Sequence, residues 1–146
     1  MNISHFLYHE DNYRYPYIPS EDSYLQKNNV FCVADGVTLD LNENGIYPQP
    51  SDSTKVASIA VNTIAESINN DISFDNSYKA ANNAIAKYNQ SRPLFKNREQ
   101  NGYSFGSTLA ATVKIFGNEL EYTFLHDCFV QVISKNLNKK NNIIPH

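Results

Sequence analysis

The sequence predicts an α+β fold: an α/β sandwich with a largely antiparallel β-sheet and two helices packed on one face. Apolar runs joined by short polar turns predict strands within residues 21–36 and 109–125. Between them, residues 51–69 and 75–90 carry apolar side chains at helical spacing. With 146 residues, of which 41% are hydrophobic and 18% are charged, the chain is long enough to bury the core of one globular domain.

Composition and charge exclude several classes of protein. The net charge of −3 and the lack of a Lys/Arg cluster argue against a general nucleic-acid-binding protein. No apolar run is long enough to cross a membrane. Residues 1–5 lack the basic and apolar regions of a secretory signal, so we expect a cytoplasmic protein without a membrane partner. Cys32 and Cys128 both lie in apolar runs, which favours two free buried thiols over a disulfide.

The first two predicted strands lead to an acidic dipeptide. Residues 30–34 are apolar or small and predict a strand that is buried on both faces. This strand ends in Asp35-Gly36, so we expect Asp35 at its mouth rather than in its interior. Residues 21–25 predict a partner strand, which the polar residues 26–29 join to the first as a hairpin turn.

Antiparallel pairing through that turn brings Asp22 and Asp35 towards the same end of the hairpin. Two carboxylates brought together there repel each other unless a cation lies between them, and Mg²⁺ and Mn²⁺ favour such oxygen ligands. Asp40 and Glu43, in the long loop predicted over residues 37–50, are further candidates to reach this end. The alternative is that Asp-Gly is only a turn signal, without any role in metal binding.

Two helices follow the acidic end of the hairpin. Residues 51–54 offer N-caps for the first helix, which stops at Asn69-Asn70. Its apolar stripe consists of Val56, Ala57, Ala60, Val61, Ile64, Ala65 and Ile68. The second helix is predicted over residues 75–90 and ends before Pro93.

A second hairpin completes the predicted order of elements. Gly106-Ser107-Thr108 precedes a strand over residues 109–115, and a tight turn leads to its partner over residues 120–125. Asp127 follows, before another strand predicted over residues 129–133. From the pattern alone, Asp127 is equally compatible with a turn former and with a metal ligand.

Four short motifs therefore stand in a fixed order: Glu21-Asp22, then Val33-Ala34-Asp35-Gly36, then Gly106-Ser107-Thr108, then Asp127. With a long helix after the second motif and a hairpin between the last two, this order resembles the metal-dependent type 2C (PPM-type) protein serine/threonine phosphatases. In that family an Asn/Glu-Asp pair begins one strand and an apolar strand ends in Asp-Gly. A Gly-Ser-Thr opens a later strand, and a Gly-Asp-Ser follows its hairpin partner. The resemblance covers residues 20–134.

The resemblance implies hydrolysis of phosphoserine or phosphothreonine in a phosphorylated protein substrate. Asp35 would bridge two Mn²⁺ or Mg²⁺ ions, and Gly36 would offer its carbonyl oxygen. Glu21 would act through a metal-bound water, and Asp22 through contacts to the ligands or by direct ligation, so that Asp35 and Asp22 are the residues assigned to catalysis. Asp127 would help to hold a third, weaker ion. A metal-bound water with a lowered pKa would attack the phosphorus in line, without a phosphoenzyme.

The chain departs from the family pattern in three respects. Residues 37–40 replace the glycine-rich segment that usually follows the aspartate, and His126-Asp127-Cys128 stands in place of Gly-Asp-Ser. The chain also stops before the C-terminal part of the family, which supplies further metal-binding aspartates and strands of both sheets. We therefore expect residues 1–135 to form a partial, apparently truncated phosphatase-like domain with weakened metal binding, and residues 136–146 to form a polar tail.

Two other interpretations stay open at this point. The first is a non-catalytic domain of the same fold that binds a phosphoprotein or another protein partner through exposed strand edges, which also invite self-association. The second is an unrelated α+β domain whose acidic turns are purely structural. In that case replacing Asp35 with Asn would change stability only slightly and would not affect metal binding.

Overall fold

A computed structural model describes residues 20–38, 44–47, 51–92, 106–126, 128, 130–132 and 141–142. The elements in chain order are β1 Ser23–Lys27, β2 Val30–Gly36, α1 Asp52–Asn69, α2 Phe74–Ser91, β3 Thr108–Phe116, β4 Glu119–Phe124, β5 Gln131–Val132 and β6 Asn141–Asn142. Strands β1 to β4 form one sheet in sequence order, and each neighbouring pair is antiparallel. The prediction of an α+β fold with an antiparallel sheet and two helices is thus confirmed.

The turn of the first hairpin is shorter than predicted. Strands β1 and β2 pair up to Lys27 and Val30, which leaves only Asn28-Asn29 in the turn. Asn28 adopts a positive φ of 56°, a conformation that asparagine tolerates better than most residues. The polarity of residues 26 and 27 favours a turn, but both belong to the outer strand of the sheet, where polar side chains are also common.

Strand β2 is buried on one face only, so the prediction of burial on both faces is wrong. Val30, Cys32 and Ala34 are at most 2% exposed and face the helices. Val33, between them, is 43% exposed because the helices pack on the other face of the sheet. A continuous apolar run cannot reveal how many faces of its strand are covered.

Both helices were predicted to within one residue at each end, and they form the layer that covers the sheet. The Ser51 hydroxyl caps α1 by accepting a hydrogen bond from the Ser53 backbone N–H, with 3.1 Å between Oγ and N. Every residue of the predicted apolar stripe of α1 is buried. Helix α2 packs against α1 and contributes Ala81 to the core, with Tyr78 and Ile85 partly buried against it.

One tyrosine fixes α2 to the middle of the sheet. The Tyr78 hydroxyl lies 3.0 Å from Thr112 Oγ1 and donates to the Ala110 carbonyl oxygen at 3.3 Å. Both partners belong to β3, so the hydroxyl is satisfied at the point where its ring enters the core.

The opposite side of the sheet, which we call the second sheet face, is also apolar. In β4, Leu120, Tyr122 and Phe124 pair with β3 residues on this side. The rings of Tyr122 and Phe124 stack with their centroids 6.4 Å apart. Leu120 remains 38% exposed and Val33, on β2, 43% exposed.

The C-terminal part forms a separate strand pair. Gln131 pairs with Asn142 and Val132 with Asn141. Two residues of the strand predicted over 129–133 are therefore found, whereas positions 129 and 133 lie outside the described residues. Strand β6 was not predicted, because its Asn-rich composition gives no strand signal. Neither cysteine forms a disulfide, as predicted. Cys32 is buried as predicted, whereas Cys128 is only partly buried. Neither described helix is long and apolar enough to span a bilayer.

Candidate functional site

The structure brings the two predicted aspartates to the same end of the first hairpin. The β1–β2 register pairs Ser23 with Ala34, so the next positions along the strands are Asp22 and Asp35. Residues that lie opposite each other in an antiparallel pair share a face, and both aspartates are exposed on the second sheet face. Asp22 Oδ2 also accepts a hydrogen bond from the Ser20 hydroxyl at 3.0 Å.

Glu21 lies on the other side of the sheet, facing the helices. Successive strand residues alternate in direction, so the Glu21-Asp22 pair is divided between the two faces. The glutamate is only 4% exposed and its backbone lies directly against Gly36. A Cβ at position 36 would stand 2.4 Å from the Glu21 carbonyl oxygen, so this approach requires glycine.

Among the described residues, only one of the two carboxylate oxygens of Glu21 has a hydrogen-bond partner, which lies at the start of the first helix. The Ser51 hydroxyl donates a hydrogen bond to Glu21 Oε1. The other oxygen, Oε2, is buried and has no hydrogen-bond partner among the described residues. Burying a carboxylate oxygen without a partner is costly, although the adjacent N-terminus of α1 favours negative charge. Such an orphaned atom in a native fold calls for an explanation.

Hydrogen bonds from two other elements hold the chain just after Asp35. The Thr108 hydroxyl donates to the Asp35 carbonyl oxygen at 2.7 Å. The Val37 N–H donates to the Ser107 carbonyl oxygen at 3.0 Å, and the Ser53 hydroxyl donates to the Val37 carbonyl oxygen. The Asp-Gly and Gly-Ser-Thr motifs, remote in sequence, are therefore neighbours in the fold.

A second cluster, which sequence reasoning missed, joins both helices to the start of β3. Asp52 accepts a hydrogen bond from the Tyr88 hydroxyl at 2.6 Å and forms an ion pair with Arg92, with 3.0 Å between Oδ1 and Nε. Partial burial raises the pKa of Tyr88, and the neighbouring Asp52 carboxylate acts in the same direction. A Cβ on Gly106 would stand 2.4 Å from the Asp52 carbonyl oxygen, and the Gly106 carbonyl accepts from Asn89 Nδ2 at 3.0 Å. From the sequence alone, Asp52 is predicted only as one of the residues that cap the first helix.

Other predicted site residues cannot be placed against this end of the sheet. Asp127, Asp40 and Glu43 lie outside the described residues. Among the residues that are described, no group of three or more His, Cys, Asp or Glu side chains is close enough to hold a metal ion. This agrees with the division of the carboxylates, since Glu21 faces the helices and the two aspartates face the other way.

Comparison of the chain with protein-family models, with curated proteins and with solved structures found no match. The resemblance to the type 2C phosphatases therefore depends on this chain's own residues and their order. The metal-binding roles of Glu21, Asp22, Asp35, Gly36 and Asp127 stay predictions.

Proposed function

We propose that the acidic end of the first hairpin binds Mn²⁺ or Mg²⁺ and serves the hydrolysis of phosphoserine or phosphothreonine in proteins. The observation that supports this most directly is the buried Glu21 Oε2 atom, which has no hydrogen-bond partner in the described part of the chain. It lies in a residue packed against the Gly36 backbone, one position from the aspartate pair. Because Glu21 faces the helices, a water molecule bound to a cation at the strand ends, rather than the cation itself, would give this oxygen a partner.

The aspartate pair adds an electrostatic argument. Side chains directly opposite each other in antiparallel strands have Cβ atoms about 4.5–5.5 Å apart, and like charges at that spacing are destabilising. A divalent cation between Asp22 and Asp35 would replace this repulsion by attraction. Mg²⁺ and Mn²⁺ suit such a position, because they are held by one or two carboxylates together with water molecules.

Each residue of the proposed site has its own role. When bound, the ions would supply a water of lowered pKa as the nucleophile. Asp35 and Asp22 would hold the ions from the second sheet face, and Glu21 would orient water from the helix side. A third ion at Asp127 belongs to the same proposal, as does a phosphorylated protein as the substrate.

Calorimetry with Mn²⁺ tests the metal site directly. We expect micromolar binding by the natural chain and its loss in Asp35→Asn, because the variant keeps the shape of the side chain but removes the charge. Asp75→Asn is the matched control, since Asp75 is an exposed aspartate on α2 that pairs with Lys79 on the same helix. Equal binding by all three proteins, or millimolar binding by the natural chain, would contradict the proposal. Mn²⁺-dependent hydrolysis of an aryl phosphate or phosphopeptide then tests the chemistry.

A second candidate is a non-catalytic domain of the same type that binds a protein partner. The exposed apolar side chains Val33 and Leu120 on the second sheet face favour it. Strands β1 and β4 are also the outer strands of the described four-stranded sheet, and such edges can pair with another chain or with a second copy. Partner binding that persists in a chelator, with no hydrolysis under any metal, would favour this candidate over the first.

A further inference from the structure

The backbone at Asp35 is held by a threonine hydroxyl from another strand. Thr108 and Gly36 form the last pair of the β2–β3 ladder. Beyond the ladder, the bond from Val37 N–H to the Ser107 carbonyl continues the contact between these backbones. The Thr108 hydroxyl donates to the Asp35 carbonyl at 2.7 Å and has a longer contact, 3.2 Å, with the carbonyl oxygen of Leu109.

We propose that Thr108 is a positioning residue for Asp35, an inference that depends on the proposed metal site. The Asp35 carbonyl belongs to the peptide plane between Asp35 and Gly36. Asp35 already pairs with Leu109 in the ladder. The additional hydrogen bond to its carbonyl oxygen further restricts rotation of that plane, and with it the backbone from which the Asp35 side chain and the Gly36 carbonyl project. Thr108 thus acts through these two residues and does not itself touch an ion.

The environment of Thr108 distinguishes this role from ordinary packing. The side chain is half-buried and lies outside the hydrophobic core cluster. Asp35, whose backbone it holds, is exposed, so core packing around Asp35 does not fix its direction. The neighbouring Ser53 hydroxyl donates to the carbonyl of Val37, two residues further along, and so holds the chain where it leaves β2 instead.

Replacing Thr108 with Val removes the hydroxyl and keeps the shape of the side chain. A hydrogen bond of ordinary net strength corresponds to about 2- to 10-fold in an equilibrium constant, so we expect Mn²⁺ affinity to fall by that factor. Thr108→Ser restores the hydroxyl and should return the affinity to within about twofold of the natural chain. Thr123→Val on β4 is the matched control, because Thr123 is another half-buried threonine of the same sheet.

Amide hydrogen exchange gives a readout that needs no metal. In the metal-free protein, Thr108→Val should speed exchange at Gly36 and Val37, while Thr123→Val should leave both amides unchanged. If Thr108→Val does not fold, Thr108→Ala takes its place in the same comparison, with the unfolding midpoint measured alongside.

The outcomes separate this inference from the proposed function. If the natural chain binds no Mn²⁺, the proposed function fails and the positioning role fails with it. If the natural chain binds Mn²⁺ and Thr108→Val binds it equally well, only the positioning role is overturned. Equal weakening by Thr108→Val and Thr108→Ser would also overturn it, because Thr108→Ser keeps the hydroxyl and the loss of affinity could not then be assigned to that group.

Discussion

Gly36→Ala tests the tightest backbone approach at the acidic end of the sheet. The new Cβ would stand 2.4 Å from the Glu21 carbonyl oxygen and 2.8 Å from the Glu21 Cβ. Carbon atoms in good contact lie about 3.5–4.0 Å apart, so the two chain segments must separate by about 1 Å. Backbone atoms cannot rotate away as the end of a long side chain can, and the strain therefore falls on the hairpin itself.

The expected cost follows from two opposing terms. Overpacking of this kind costs about 1–3 kcal/mol. Replacing a glycine returns about 0.4–1 kcal/mol, because the unfolded chain becomes less flexible. We therefore expect the free energy of unfolding to fall by about 1–2 kcal/mol, which for a domain of this size lowers the melting temperature by about 2–8 °C.

Urea unfolding measures this cost, and Gly117→Ala is the control. Gly117 has a positive φ of 62°, and a Cβ added there would meet no atom within 4 Å, so its substitution introduces backbone strain without a clash. That strain is about 1–2 kcal/mol, similar in size to the effect at Gly36. Only Gly36→Ala should also weaken Mn²⁺ binding, because Gly117 lies in the distant β3–β4 turn.

A Gly36→Ala protein as stable as the natural chain, with unchanged backbone chemical shifts at Glu21, would refute the close approach. Loss of stability with full retention of Mn²⁺ binding would instead show that the spacing between Glu21 and Gly36 does not matter to the metal. Equal loss of Mn²⁺ affinity in Gly36→Ala and Gly117→Ala would attribute the effect to general destabilisation.

Two further predictions concern the core. Tyr78→Phe removes the hydroxyl that bonds to Thr112 and Ala110, so urea unfolding should show a loss of about 1 kcal/mol; an unchanged midpoint would mean that these bonds add nothing. Burial raises the pKa of the Cys32 thiol from 9.0 to about 11, against the opposing hydrogen bond from Thr112. Between pH 9 and 11 the unfolded thiol loses its proton and the folded one keeps it, so the free energy of unfolding should fall as pH rises through this window. Cys32→Ala should make the free energy of unfolding fall less steeply with pH. An identical dependence on pH in both proteins would contradict its attribution to the Cys32 thiol.

Local patterns predicted most of the elements. Ser51 ahead of an apolar stripe predicts the start of α1, and Ser51 is its N-cap. Asn28-Asn29 and Gly117-Asn118 mark the two hairpin turns, where Asn28 and Gly117 have positive φ. These signals are readable because each depends on the conformation of a few consecutive residues.

The arrangement of the site depends on contacts that no local pattern encodes. The antiparallel register of the first hairpin is sufficient to predict that Asp22 and Asp35 share one end. The burial of Glu21 is not predictable in this way, because it depends on the N-terminus of α1 and on the missing side chain at Gly36. The same holds for Asp52, whose partner Arg92 comes from the far end of the other helix.

The pairing of β2 with β3 has a consequence for the order in which the chain folds. Each hairpin joins strands through a two-residue turn, but Asp35 and Thr108 are 73 residues apart along the chain. Closing a flexible loop of that length costs about 4 kcal/mol in entropy, whereas a tight turn closes at little cost. Pairings this remote form slowly compared with local ones. We therefore expect the two hairpins and the helix pair to form first. The end of the sheet that carries Asp22 and Asp35 is then completed only when β2 pairs with β3.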